Sequence, residues 1–273
     1  NLPIYKVPSE ALWSSANVLI RSGFLQPRPG LTQFVSTVMT GRPTGIFNSI
    51  MLATGAFQTD TFQNDSFQVA GSLPSTLLIV GTTTNIYGYY GGVLNDITGT
   101  TLTALDVEAA RFAGIALGTP QTLYVIHTNG RDAPRQWDVA SGTFTAMSGS
   151  PPNWTDIDNI AEHLIGIVPP FNVQWGDTQS VTSFPAANLR VLSDTQDPLR
   201  AIRGLGVRNV AVYKSRAIWD VTLTGSNLEA SFFRLEPRKL AEGPAGPAAI
   251  VNADGSHVYM TDTGRNGYYD GSQ

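Results

Sequence analysis

Cysteine is absent from the 273 residues, so the chain offers no disulfide framework, no thiolate zinc site and no cysteine nucleophile. Charge is scarce as well: Asp, Glu, Lys and Arg make up 14% of the chain against a usual share of about 25%. Only three residues are lysine, Lys6, Lys214 and Lys239. None of them closes a Gly-rich loop of the Walker type, which excludes that phosphate site. Seventeen basic against 21 acidic residues leave a net charge of −4, which excludes a conventional nucleic-acid binder that works by neutralising many phosphates. No apolar run approaches the roughly 18 residues of a membrane span, and the opening Asn1-Leu2-Pro3-Ile4-Tyr5-Lys6 lacks the form of a signal peptide.

What is present is Gly (27) and Pro (17), a turn-rich composition that argues against long helices. Short apolar or β-branched runs are cut by Gly, Pro, Asn and Asp, the signature of strands and turns. Five such runs begin at Leu77, Leu123, Leu164, Val210 and Val258, with successive spacings of 46, 41, 46 and 48 residues. A recurrence near 45 residues is too long for one hairpin and fits a unit of about four strands, the size of a β-propeller blade. Each run is followed by an aromatic near a turn: Tyr87, Trp137, Trp175, Trp219 and Tyr268. A large ring there packs between neighbouring sheets.

The expected fold is therefore all-β, a β-propeller with about five recognisable blades in a set that need not be complete, preceded by an irregular N-terminal segment. A sandwich stays open as the alternative. Trp137-Asp138 and Trp219-Asp220 invite comparison with WD repeats, but the companion Gly-His is missing from both. Residues 1–75 read as a strand-and-turn segment and 76–273 as the blades. Within the first part, Pro8 to Trp13 suits one helical turn, Asn17 to Gly23 a strand and turn, and Arg28-Pro29-Gly30 a second turn. The only other helix candidate is Thr103 to Phe112. A period of five, Phe57-Gln58, Phe62-Gln63 and Phe67-Gln68, throws successive rings onto opposite faces of a strand and predicts an extended, irregular connector. The chain opens without Met and stops in a turn, and it is expected to belong to a longer gene product.

Four stretches resemble the β-propeller tail proteins of short-tailed bacteriophages, meaning tail nozzle or tubular proteins and packaged-DNA stabilisation (head-completion) proteins. The first runs from Pro8-Ser9-Glu10-Ala11-Leu12-Trp13 through Asn17-Val18-Leu19-Ile20-Arg21-Ser22-Gly23 to Arg28-Pro29-Gly30. The second is Gly81 to Tyr89 with Asn95-Asp96-Ile97-Thr98. The third, Pro170 to Asp177 with Ser183-Phe184, is similar to a family strand ending in Trp-Ser-Asp, with Gly176 in place of Ser. The fourth passes from Val212-Tyr213-Lys214 through Ile218-Trp219-Asp220-Val221 to Gly243-Pro244.

The resemblance implies a structural virion protein. It would be a homo-oligomeric ring on the tail axis, in contact with adaptor or portal subunits, through which double-stranded DNA passes without specific binding. The Phe-Gln pentads lie outside the family pattern, which makes 43–72 a candidate insertion.

Catalytic and cofactor motifs are few. His127, His163 and His257 lie far apart and belong to no metal-binding pattern, and no Gly-x-Ser-x-Gly elbow occurs. No cofactor, metal or enzymatic activity is expected. The competing reading is a carbohydrate-binding or glycan-hydrolysing propeller, because Asp156 and Asp158 share one face of a strand and Asp194 and Asp197 flank a turn. The simpler expectation is that these are turn-forming residues of solvated loops. Thr261-Asp262-Thr263-Gly264 departs from the Asp-box of sialidase-type propellers at Met260, where that box has Ser. A basic interval contains Arg190, Arg200, Arg203, Arg208, Lys214 and Arg216. Arginine's planar fork suits fixed carboxylate and carbonyl contacts, so Arg200, Arg203, Arg208 and Arg216 are assigned to subunit interfaces or intrablade pairing in preference to phosphate.

Overall fold

The computed structural model describes residues 18–21, 24–27, 38–51, 75–90, 93–103, 110–118, 122–138, 140–193, 195–224, 233–239, 242–253 and 255–271. The helical turn expected at 8–13, the Phe-Gln pentads and Asp194 lie outside them. The chain divides into two units, Asn1–Val38 and Met39–Gln273. In the first, β1 (Val18–Arg21) and β2 (Phe24–Pro27) form an antiparallel hairpin, in keeping with the strand read from Asn17 onward.

The second unit is a β-propeller of five antiparallel sheets. Blade 1 is β3 (Pro43–Met51), β4 (Ser75–Thr82), β5 (Ile86–Tyr90) and β6 (Val93–Asp96). Blade 2 is β7 (Arg111–Leu117), β8 (Thr122–Thr128), β9 (Arg135–Trp137) and β10 (Thr145–Ala146). Blade 3 is β11 (Ile157–Ile160), β12 (His163–Val168), β13 (Asn172–Trp175) and β14 (Leu189–Val191). Blade 4 is β15 (Ala201–Gly204), β16 (Asn209–Tyr213), β17 (Ala217–Leu223) and β18 (Phe233–Lys239). Blade 5 is β19 (Ile250–Ala253), β20 (Ser256–Met260) and β21 (Asn266–Tyr269). Helical structure among the described residues is confined to two three-residue 3-10 turns.

The five apolar runs are the second strands, β4, β8, β12, β16 and β20, and the five aromatics stand on the third strands, β5, β9, β13, β17 and β21. These central strands are covered by sheets on one or both faces, so they must be apolar. Four apolar clusters account for the four junctions from blade 1 to blade 5. Leu77, Ile79 and Ile86 meet Val125 and Trp137 between blades 1 and 2. Ile115 and Ile126 meet Trp154 and Leu164 between blades 2 and 3. Ile165, Ile167 and Trp175 meet Ile202, Val212 and Phe233 between blades 3 and 4. Tyr213 and Ile218 meet Ile250, Tyr259 and Tyr269 between blades 4 and 5. Gly166 shows how tight the packing is: a Cβ there would lie 2.4 Å from the Trp154 ring, so the middle of β12 admits only glycine without repacking.

Two expectations change. The blades begin at β3, upstream of residue 76, and Pro43–Met51 belongs to blade 1, where it pairs with β4. Its Pro, Thr and Gly read as turn residues, yet the strand is held by an eight-residue neighbour. Phe112, the last residue of the candidate helix, lies in strand β7 and packs against Phe47 with ring centroids 6.5 Å apart.

The β11–β12 hairpin turns on Ala161 and Glu162, both at positive φ (44° and 67°). A two-residue turn of this kind favours Asn-Gly, and L-residues with a Cβ lose about 1–2 kcal/mol each in that conformation. The double substitution Ala161→Asn with Glu162→Gly is expected to raise the thermal midpoint, by about 2–4 °C for each kcal/mol of strain relieved in a domain of this size, read by calorimetry. An unchanged or lower midpoint would show that the turn is not strained.

Candidate functional site

The first strands of the blades converge on a cavity of about 550 Å³. Thr44 and Gly45 of β3, Arg111 of β7, Asp156 just before β11, Asp158 within it and Arg203 of β15 line it, with Ala248 from the turn before β19. Each blade therefore contributes to this axial space. Its polar wall carries two carboxylates and two guanidinium groups, and its other wall is apolar, with Ile46, Val80 and Phe112.

Asp156 and Asp158 do share one face, as their spacing of two requires, but they are not solvated turn residues. Asp156 is completely buried. Its Oδ2 accepts from the Ile202 amide at 2.9 Å and from Arg203 Nη1 at 2.7 Å, and Arg111 Nε lies 3.8 Å from Oδ1. The Asp158 carboxylate accepts from the Gly204 and Asn159 amides, both at 2.8 Å. Burial pushes both carboxyls above the usual carboxylate range. Arg203, the Ile202 amide and Arg111 partly offset this at Asp156, and the two backbone amides do so at Asp158.

The geometry has a structural cause. The first strand of a blade is an edge strand whose outer N–H and C=O groups face the axis, and a buried backbone group without a partner is destabilising. Ile202 and Gly204 point alternate amides away from β16, and the two aspartates of blade 3 receive them. Asparagines do the reciprocal work for carbonyls: Asn159 donates to the Gly114 carbonyl of blade 2, and Asn252 donates to the Gly204 carbonyl at 3.1 Å. His257 adds a contact to the same Gly204 carbonyl at 2.8 Å and meets the Tyr213 hydroxyl at 2.7 Å. Chemically, the site clamps blades. Its carboxylates are engaged by fixed donors of the next blade.

Asn159, Asn252 and Tyr213 escape sequence reasoning. One signal was there: Ile157-Asp158-Asn159 and Ile250-Val251-Asn252 repeat Ile-x-Asn two blades apart, and both asparagines reach a glycine carbonyl on the preceding blade. Asp197 lies in the bend before β15 and does not line the cavity.

The predicted arginines divide. Arg200 donates to the Pro244 carbonyl at 2.9 Å and pairs with Asp262 at 2.6 Å. Arg203 donates to Asp156 and to the Pro247 carbonyl at 2.7 Å. Arg208 donates twice to the Leu223 carbonyl, at 3.3 and 3.0 Å. Arg216 is exposed in the turn between β16 and β17. Arg200 and Arg203 thus tie blade 4 to blade 5 or blade 3, and Arg208 stays within blade 4.

The histidines are separate. His127 is buried between the rings of Phe112 and Phe144, at 5.2 and 6.2 Å. His163 contacts the Gly176 carbonyl at 2.8 Å. Among the described residues no group of three or more His, Cys, Asp or Glu is placed to hold a metal ion, and no helix is long and apolar enough to cross a membrane.

No protein-family model matches the chain, and no curated protein matches it by sequence. Many solved structures resemble it, two of which follow. One is the crystal structure of BBS1N in complex with ARL6DN, soaked with lead, with 10% identity and a TM-score of 0.48 over 90% of this chain and 67% of that one. The other is BamB from Moraxella catarrhalis, with 11% identity and a TM-score of 0.44 over 90% of this chain and 63% of that one.

Proposed function

We propose that this propeller is a structural component of a bacteriophage tail, a subunit of a homo-oligomeric ring, nozzle or head-completion piece, around the DNA exit channel and in contact with adaptor or portal proteins. The observation that carries the noncatalytic part of this reading is the engagement of Asp156 and Asp158 by the Ile202 and Gly204 amides. A glycosidase acid or base needs a proton to exchange with substrate, whereas these carboxylates hold the neighbouring blade. The tail assignment is supported by the order of the four resembling stretches along the chain.

Electron microscopy of the native assembly tests it: a large symmetric particle with the protein in a ring on the tail axis is expected. A monomeric protein that hydrolyses polysaccharide, and loses that activity in Asp158→Asn while keeping its thermal midpoint, would establish the carbohydrate-active alternative instead.

A conduit must let its cargo slide, and a wall of unpaired cations would condense onto phosphates. Arg200, Arg203 and Arg208 donate to carbonyls and carboxylates of their own chain, which leaves them poorly placed to grip DNA. Duplex DNA is expected to bind with a Kd of roughly 10⁻⁴ M or weaker at physiological salt, unchanged by alanine at Arg200 and Arg208. Submicromolar binding with a steep salt slope would overturn the conduit.

A further inference from the structure

Blade 5 is sided differently from the others. Burial alternates from His257 to Met260 in β20 and through the end of β21, and the inner face, with Ile250, Tyr259 and Tyr269, packs on blade 4. The other face carries Val251, Val258, Met260 and Tyr268, which are 64%, 42%, 52% and 62% exposed. Val251 pairs with Val258 and Val258 with Tyr268, so these three side chains form one row across the sheet, roughly 5 Å apart, with Met260 beside them. Asn266, opposite Met260, adds a polar but uncharged neighbour. Third-strand aromatics Tyr87, Trp137 and Trp175 are buried, while Tyr268 in the same strand position is not. The blade also has three strands among the described residues where each of the others has four.

A contiguous uncovered apolar row is unusual on a soluble surface. On blades 2, 3 and 4 both faces contribute to clusters with their neighbours. We infer that the outward face of blade 5 is a blade–blade interface awaiting its partner, and that it takes a further antiparallel β-sheet of this same protein, a sixth blade with an apolar, uncharged face. The row lies in direct continuation of the four junctions already formed, which are sheet on sheet and apolar. It offers no cation or anion, which disfavours a nucleic acid or a charged peptide as occupant. The inference does not rest on the virion assignment.

The test compares the 273-residue chain with the complete gene product purified from its natural source, both dilute and monomeric. Met260 oxidation by dilute hydrogen peroxide is read by mass spectrometry. In the 273-residue chain Met260 should react within a few fold of the unfolded rate; in the complete product it should react about tenfold more slowly or less. Val258→Lys and Tyr268→Lys should leave the midpoint of the 273-residue chain unchanged and lower that of the complete product. Equal oxidation in the two proteins overturns the inference. So does protection that appears in the 273-residue chain only as its concentration rises, which would assign the face to a second copy. Protection of the complete product only within an assembly would assign it to a different subunit and overturn it equally.

Discussion

Replacing Asp156 by alanine is expected to lower stability by about 3–5 kcal/mol, the range for removing one partner of a buried ion pair. The substitution leaves the Ile202 amide and the Arg203 guanidinium facing a space where their acceptor had been, and each buried donor without a partner is destabilising in its own right. Asp156→Asn keeps an acceptor toward Ile202 while removing the charge whose burial raises the carboxyl, so its loss should be the smaller of the two. The sign of the pH dependence follows. A carboxyl raised by folding contributes stability below its unfolded value, and that contribution is lost as pH rises through the folded value. The gap between wild type and Asp156→Asn should therefore shift in favour of wild type on acidification from neutral pH. Urea titration checks all three statements. An alanine variant within about 1 kcal/mol of wild type, the typical effect of an ordinary substitution, would mean that the axial aspartate is not a clamp.

That clamp also explains which parts of the fold the sequence discloses. Central strands carry the message plainly: Leu164-Ile165-Gly166-Ile167 and Val210-Ala211-Val212-Tyr213 are buried between sheets and have no freedom to be polar. The first strands do not. Ile157-Asp158-Asn159-Ile160 has a loop composition because its edge faces the axis, where Asp and Asn side chains replace the missing neighbouring strand as hydrogen-bond partners. Pro43-Thr44-Gly45 misleads for a related reason: a Cβ at Gly45 would lie 2.3 Å from the Ala110 carbonyl oxygen, so close approach of blade 2 selects a residue that otherwise signals a turn. Outer strands such as Thr145–Ala146 are short and exposed, too brief for any periodicity. The axial site was legible as Arg203, an arginine assigned to pairing, and as two acids on one face. Their partners, the Ile202 and Gly204 amides, are backbone groups of a strand some 46 residues away, and no side-chain pattern announces them.

Acid should unfold this propeller largely through His127. The imidazole is enclosed between Phe112 and Phe144 on the blade 1–2 side of β8, and its Nε2 is buried without a hydrogen-bond partner. Burial, with a further contribution from the Arg135 guanidinium and against a smaller opposing pull from Asp132, drives its pKa down from 6.5 to about 3. Here the unfolded chain takes up the proton and the folded one refuses it. The stability conferred by a neutral His127 is thus intact above the unfolded value of 6.5 and is lost as pH falls toward about 3, with a limiting slope of about 1.4 kcal/mol per pH unit. Over that window the loss is on the order of 4 kcal/mol, a large part of the stability of an ordinary domain. His127→Phe keeps an aromatic ring in the Phe112–Phe144 stack and removes the titrating group. Wild type minus variant should isolate this one proton, because Asp156 and Asp158 titrate in both proteins and cancel. Chemical denaturation at half-unit steps from pH 7 to pH 4 should show the variant gaining on wild type below about pH 6. Parallel curves across that range would show that His127 takes up its proton as readily in the folded protein as in the unfolded chain, and that the blade 1–2 junction admits a charge where its packing argues for none.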